Sequence, residues 1–278
     1  MPAANWQAAI RYAQLVTIAY TVKPGDPYDD AAKALIQQSG YTFVEAIYGS
    51  ELATDFDPHL GEVVTYGYLA TSATGELVAV IRGTEGIQEW LHDAAFLFVP
   101  NPIHPAGGFT EDGFSAIYRS LRVGADPNSA AAVDAIASMA NAGGVSSITV
   151  TGHSLGAALA TMLGLAVGMS AGCKSPTVYT YACPRVGDLI FGHTYDSLVQ
   201  DTLRIHHRSD LVPKLPTFPY EHVGNDIELI APLNAVNGTL ACWHSLDTYL
   251  WLMDQQLNEV NHLKVDQQCQ GPKYPGPV

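Results

Sequence analysis

The sequence predicts an α/β fold, a mostly parallel central sheet with helices on both faces, formed by a single domain over residues 1–278. Three observations lead there. Strand-like and helix-like stretches alternate along the chain, the pattern of a parallel sheet covered on both sides. No repeat, low-complexity tract or linker divides it. Residues 148–160 carry an apolar, β-branched strand through Gly152-His153-Ser154-Leu155-Gly156 straight into a helix of Ala, Leu and Met. With 47% hydrophobic and only 14% charged residues, the chain can bury a large core and is not a disordered protein.

The elements follow in order. Helical periodicity covers about residues 4–19 and 29–38, and strand-like runs follow at Tyr41–Tyr48, Val63–Thr71 and Glu76–Arg82. Ser72-Ala73-Thr74-Gly75 between the last two runs reads as a hairpin turn. Residues 84–109 read as irregular and are rich in Pro, Phe and Trp. Helices are expected over 113–122 and 129–142, the second stopped by Asn141-Ala142-Gly143-Gly144. Past the 148–160 segment come a strand at Thr177–Ala182, a helix near Gly187–Tyr195 and a strand at Thr202–His207. Asp226 and Glu228 fall in a further extended pair, and a helix over Ser245–Val260 precedes a Pro/Gly tail. Leu155–Cys173 is uncharged and as long as a membrane span, but its Gly and Ala content predicts a helix buried inside the fold instead.

Thirteen Lys and Arg against 27 Asp and Glu give a net charge of −14, which excludes nucleic acid and anionic membranes as electrostatic partners. A neutral substrate is favoured, and the acidity also serves solubility. No His/Cys/Asp cluster has ligand spacing, and His206 and His207 on one strand point to opposite faces, so neither metal nor cofactor is expected. The start lacks the basic and apolar regions of a signal peptide. Four cysteines, enough for two disulfides, and the sequon Asn237-Gly238-Thr239 nonetheless favour a secreted chain whose signal has been removed.

The chemistry centres on Ser154. G-x-S-x-G between a strand and a helix is a nucleophile elbow: a strained turn exposes the serine, and the helix N-terminus behind it presents free N–H groups to an oxyanion. A serine needs a base, and the base needs a carboxylate, in the chain order Ser, acid, His. Asp210 is the expected acid, because it sits in the loop just past the Thr202–His207 strand. Asp188, Asp196, Asp226 and Glu228 compete less well. His244, in Cys242-Trp243-His244-Ser245 ahead of the last helix, is preferred as base over His222. The oxyanion donors are expected to be the N–H of Leu155 and a group on Arg82-Gly83-Thr84, with Thr84 offering both its N–H and its hydroxyl.

Taken together, the motifs resemble the class 3, or filamentous-fungal, lipase family. The matches are Ile81-Arg82-Gly83-Thr84, Trp90-Leu91-His92-Asp93, Thr151 to Ala157, Tyr181 to Asp188, His207 to Pro213 with Leu215-Pro216, Tyr220 to Gly224, and Cys242-Trp243-His244. They run in the family's order over about residues 60–250. The resemblance implies an α/β-hydrolase fold and a serine esterase acting on acylglycerols or related esters at a lipid–water interface. Feruloyl- or cinnamoyl-type aryl esters are the alternative substrates. A non-catalytic binding protein of this fold would have lost the serine or histidine, and both are present. By position, the resemblance assigns Ser154 as nucleophile, Asp210 as acid, His244 as base, and Thr84 with Leu155 as oxyanion donors. It also places a short lid at about 85–93, with Ile87, Trp90 and Leu91 on its apolar face, and lets Phe96 and Phe98 extend the acyl-binding wall. A monomer with no transmembrane segment is expected. The chain departs from the family at Cys183, where a glycine is usual, at Thr110-Glu111-Asp112, and in its short interval between Asp210 and His244. Four cysteines allow three pairings, one of which, Cys242–Cys269, would tie the tail beside the base.

Overall fold

Strands β1 (Tyr41–Ser50), β2 (Val63–Ser72), β3 (Glu76–Ile81), β6 (Arg122–Val123), β7 (Ser147–His153), β8 (Thr177–Tyr181), β10 (Asp201–His207) and β12 (Asn225–Leu229) form one eight-stranded sheet. The structure, a computed structural model, describes residues 5–23, 26–50, 61–84, 96–257 and 263–271. The strand order is β12-β10-β8-β7-β3-β2-β1-β6. Neighbours from β3 to β12 are parallel, whereas β1, β2 and β6 join antiparallel at the other edge.

The central strands are apolar on both faces because both faces are covered. Leu77, Ala79 and Ile81 of β3 pack with helices α3 (Asp112–Ser120), α4 (Ala132–Asn141), α5 (Leu155–Met169) and α6 (Leu189–Leu198). Val78 and Val80 face the other way, toward α1 (Trp6–Thr21), α2 (Asp30–Gln38) and α8 (Leu246–Asp254). The uncharged α5 is buried along Leu155–Val167, as a helix sandwiched by protein must be. Among the described residues no helix is long and apolar enough to cross a membrane.

Several elements differ from the sequence reading. Part of the stretch read as irregular, residues 84–109, pairs into a second sheet of order β11-β9-β5-β4. Its members are β4 (Phe98–Pro100), β5 (Phe109–Glu111), β9 (Gly187–Asp188) and β11 (Tyr220–Glu221), each too short to show a period. Helix α6 begins at Leu189 because Asp188 caps it, its carboxylate accepting from the Phe191 N–H. Helix α4 begins at Ala132, since Ala131 instead bridges to Arg122. The helix expected over Ser245–Val260 is α8 preceded by a five-residue turn of helix, α7 (Leu240–His244), with Ser245 extended between them. Residues 258–260 lie outside the described residues.

One disulfide, Cys242–Cys269, joins α7 to the C-terminal segment, while Cys173 and Cys183 are free. Two disulfides were permitted by the count; burial keeps Cys183 apart, among the Thr161 hydroxyl and the α5 core. Replacing Cys242 and Cys269 by Ser opens a closed loop with a sequence separation of 27. The expected loss is about 3 kcal/mol of unfolding free energy, read as a lower urea midpoint; an unchanged midpoint would show that the bridge constrains nothing.

Candidate active site

Because β3, β7, β8 and β10 are parallel, their C-terminal ends lie along one edge of the sheet, the edge where such folds build sites. Gly83 and Thr84 follow β3, Ser154 follows β7, and Asp210 follows β10. Ser154 joins β7 to α5 with φ 59° and ψ −129°, a left-handed conformation costing a non-glycine residue about 1–3 kcal/mol. Its neighbours leave no room for anything larger than hydrogen. A Cβ on Gly156 would stand 2.4 Å from the Arg82 carbonyl oxygen, and one on Gly152 would stand 2.2 Å from the carbonyl oxygen of Gly156. The Ser154 N–H donates to the Tyr181 carbonyl at 2.9 Å, fixing the turn to the next strand.

Three side chains then align. His244 Nε2 lies 2.8 Å from Ser154 Oγ, and His244 Nδ1 lies 2.8 Å from Asp210 Oδ2. All three are buried, with Asp210 at 0% and Ser154 at 1% exposure, so their bonds act in a low-dielectric setting. The geometry determines the tautomer. Carboxylate oxygens only accept, so Nδ1 carries the proton and Nε2 keeps a lone pair for the serine hydroxyl. Asp210 is itself held on both oxygens: Oδ1 accepts from the Val212 N–H at 3.0 Å, and Oδ2 accepts from Tyr249 Oη–H at 2.8 Å. Tyr249 in turn accepts from the His207 N–H, which ties α8 to the end of β10.

The competing candidates are engaged elsewhere. His222 Nε2–H donates to the Pro213 carbonyl at 2.7 Å. Asp188 caps α6, Asp196 accepts from the Gly224 N–H, Asp226 pairs with Arg204, and Glu228 pairs with Arg208. Of the oxyanion candidates, Leu155 opens α5, where the backbone N–H precedes the helical ladder. Thr84 lines a cavity of about 400 Å³ together with His244 and His153. Phe96 offers its carbonyl to Tyr220 Oη–H, and the Phe98 ring stacks on Tyr220 with centroids 4.1 Å apart. Neither phenylalanine lines that cavity. Ile87, Trp90 and Leu91, with the whole 85–93 lid segment, lie outside the described residues.

Besides Tyr249, the structure brings in two further residues that the sequence does not mark, Tyr20 and His153. The Gly83 N–H donates to Tyr20 Oη at 2.8 Å, and Tyr20 Oη–H donates to His153 Nδ1 at 2.8 Å. His153 Nε2–H then donates to the backbone carbonyl of His244 at 2.9 Å. The partners dictate the tautomer again, since a carbonyl can only accept. His153 is therefore neutral, and burial, reinforced by the neighbouring His244, holds its pKa well below the usual imidazole range. Through this relay the end of α1 clamps the loop bearing Thr84 to the backbone of His244. His153 stood in view inside the G-x-S-x-G motif, but nothing in the sequence near Tyr20 signals a partner 133 residues away.

Burial also pushes the His222 imidazole down to about 3, with help from Arg204 and Arg185. When unfolded, such a histidine takes up a proton near pH 6.5, so below that pH the unfolded chain binds more protons than the folded one. Its stability contribution is complete above about pH 6.5 and declines as pH falls toward about 3. Between about pH 7 and pH 5, wild type should lose ~1–2 kcal/mol more than His222→Gln in urea denaturation, and parallel losses would refute a neutral buried His222.

The comparisons with known proteins agree on the family. The lipase (class 3) family model matches residues 78–220. Phospholipase A1-II 4 of Oryza sativa subsp. japonica is 31% identical over 208 residues, 68% of this chain and 52% of that protein. Secreted mono- and diacylglycerol lipase A of Penicillium cyclopium is 32% identical over 178 residues, 63% of this chain and 55% of that protein. The chain thus spans about half the length of the curated relatives it matches. In fold, the lipase from Rhizopus microsporus var. chinensis superposes with a TM-score of 0.65 at 24% identity, over 83% of this chain and 75% of that one. The Rhizomucor miehei lipase propeptide complex superposes with a TM-score of 0.60 at 25% identity, over 80% of this chain and 68% of that one. The chain has the α/β-hydrolase fold and belongs to the class 3 lipase family.

Proposed function

We propose that this chain is a secreted carboxylester hydrolase, a lipase in the broad sense, cleaving acylglycerols or related fatty-acid esters. The observation that carries the reading is the buried run Asp210–His244–Ser154, closed by two contacts of 2.8 Å at the strand ends. In this reading Ser154 Oγ attacks the ester carbonyl carbon while His244 Nε2 takes its proton. The carbonyl oxygen becomes an oxyanion facing the Leu155 N–H and Thr84. Collapse expels the alcohol, protonated by His244, and leaves an acyl-serine. Water, deprotonated by His244, attacks the acyl-serine; the acid departs and the proton returns to Ser154. Asp210 holds the imidazole in the required tautomer and offsets its positive charge.

Two further parts belong to the same proposal. The Cys242–Cys269 disulfide and the half-exposed sequon residue Asn237 suit an oxidising, secretory compartment, and a mono- and diacylglycerol lipase named as secreted is among the relatives. The assignment of residues 85–93 as a lid presenting Ile87, Trp90 and Leu91 to lipid, over a single domain, rests on the sequence pattern.

Ser154→Ala removes only the nucleophilic oxygen, and its positive φ is tolerated no worse by Ala than by Ser. The variant should lose about 10⁴-fold or more in kcat on 4-nitrophenyl butyrate while retaining the wild-type circular dichroism spectrum. Retained turnover would rule out the mechanism.

A further inference from the structure

The cavity of about 400 Å³ beside the base has walls that the hydrolytic step does not use. Thr17 and Tyr20 of α1 form one side, Ser245 and Asp247 at the α7–α8 junction form another, and His244 and Thr84 border it. Its position in the reaction follows from the borders. The proton that His244 returns goes to the departing alkoxide, so that oxygen must come within hydrogen-bond reach of Nε2. A group beside His244 and the oxyanion loop is therefore placed as the alcohol half of an ester. Residues 156–169 of α5 and the β4–β5 hairpin take no part in these walls.

The wall chemistry selects among alcohols. Asp247 is half-buried, and among the described residues its carboxylate has neither a hydrogen bond nor an ion pair. Ser245 Oγ likewise has no partner among the described residues. Thr17 Oγ1 donates to the Ala13 carbonyl and keeps lone pairs to accept with. Tyr20 contributes its ring, its hydroxyl being occupied by Gly83 and His153. These are chiefly acceptors awaiting hydroxyl hydrogens. Among the described residues no Lys or Arg lines the cavity, and burial, with a smaller contribution from the nearby Asp266, pushes the Asp247 carboxyl pKa upward.

We infer that this cavity is the leaving-alcohol subsite of the hydrolase proposed above, on which the inference rests. It takes a neutral glycerol moiety bearing a free hydroxyl, as in a mono- or diacylglycerol, and turns away a phosphate. The free hydroxyl donates to Asp247 or Ser245. A phosphate in its place brings like charge against Asp247 with no cation to offset it, in a partly desolvated setting where such repulsion is strong.

Dioctanoylglycerol and dioctanoyl phosphatidate differ only in that hydroxyl and make a matched test, with 4-nitrophenyl octanoate as the reference ester. Wild type should favour the diacylglycerol by about tenfold or more in kcat/KM. Asp247→Lys should shrink that ratio about tenfold by replacing the repelling charge with an attracting one, whereas Asp247→Glu should keep it. Equal wild-type rates on the two lipids would overturn the subsite. So would an Asp247→Lys enzyme that cleaves both with the wild-type ratio. If the lysine variant does not fold, the wild-type comparison decides alone. Failure of wild type to cleave the nitrophenyl ester would instead remove the hydrolase reading beneath the proposal.

Discussion

The site depends on one backbone conformation that no serine adopts by preference. Ser154 sits at φ 59° between a strand and a helix, and the strain is sustained because everything around the turn is fixed. The hydrogen bond to Tyr181 pins its N–H, β7 is paired on both sides, and the glycines at 152 and 156 let the helix approach the end of β3. A Cβ at either position would drive α5 away from β3, and with it the Leu155 N–H from the Thr84 loop. The elbow is thus sustained only by the sheet pairing and close helix approach around it.

Two buried hydrogen-bond systems meet at His244 and constrain it from different sides. Asp210, itself held by Val212 and Tyr249, orients the imidazole through Nδ1. Tyr20 and His153 instead hold the backbone of His244 and, through Gly83, the oxyanion loop. The first system sets the proton location on the base. The second ties the backbone of His244 to the loop that bears Thr84. The first relies on Tyr249 of α8 and the second on Tyr20 of α1, helices packed together on one face of the sheet, so that face supports both. The disulfide at Cys242 anchors the short helix that ends in His244.

Much of this was legible in the sequence because its signals are local. The elbow declares itself in five residues with a strand before and a helix after, and β3, β7 and β8 are apolar runs long enough to identify. Asp210 followed from chain order and its place past a strand. Three kinds of feature were not legible. The second sheet is assembled from strands of two or three residues whose pairing is purely tertiary, such as Thr110 with Gly187. His244 sits at the end of a short helical turn, because Thr239 caps a helix too short to leave a periodic signature. Tyr20 and Tyr249 carry no motif of their own, and only the fold brings their hydroxyls to His153 and Asp210.

Ser154, out of all the hydroxyls in the chain, is the one its surroundings are built to activate. Reaction with an alkyl fluorophosphonate followed by peptide mass spectrometry tests this most directly, because the reagent reports nucleophilicity without assuming a substrate. One adduct per chain is expected, on the peptide carrying Ser154, formed in step with the loss of esterase activity. An adduct on another residue, or activity that persists with Ser154 fully modified, would contradict it.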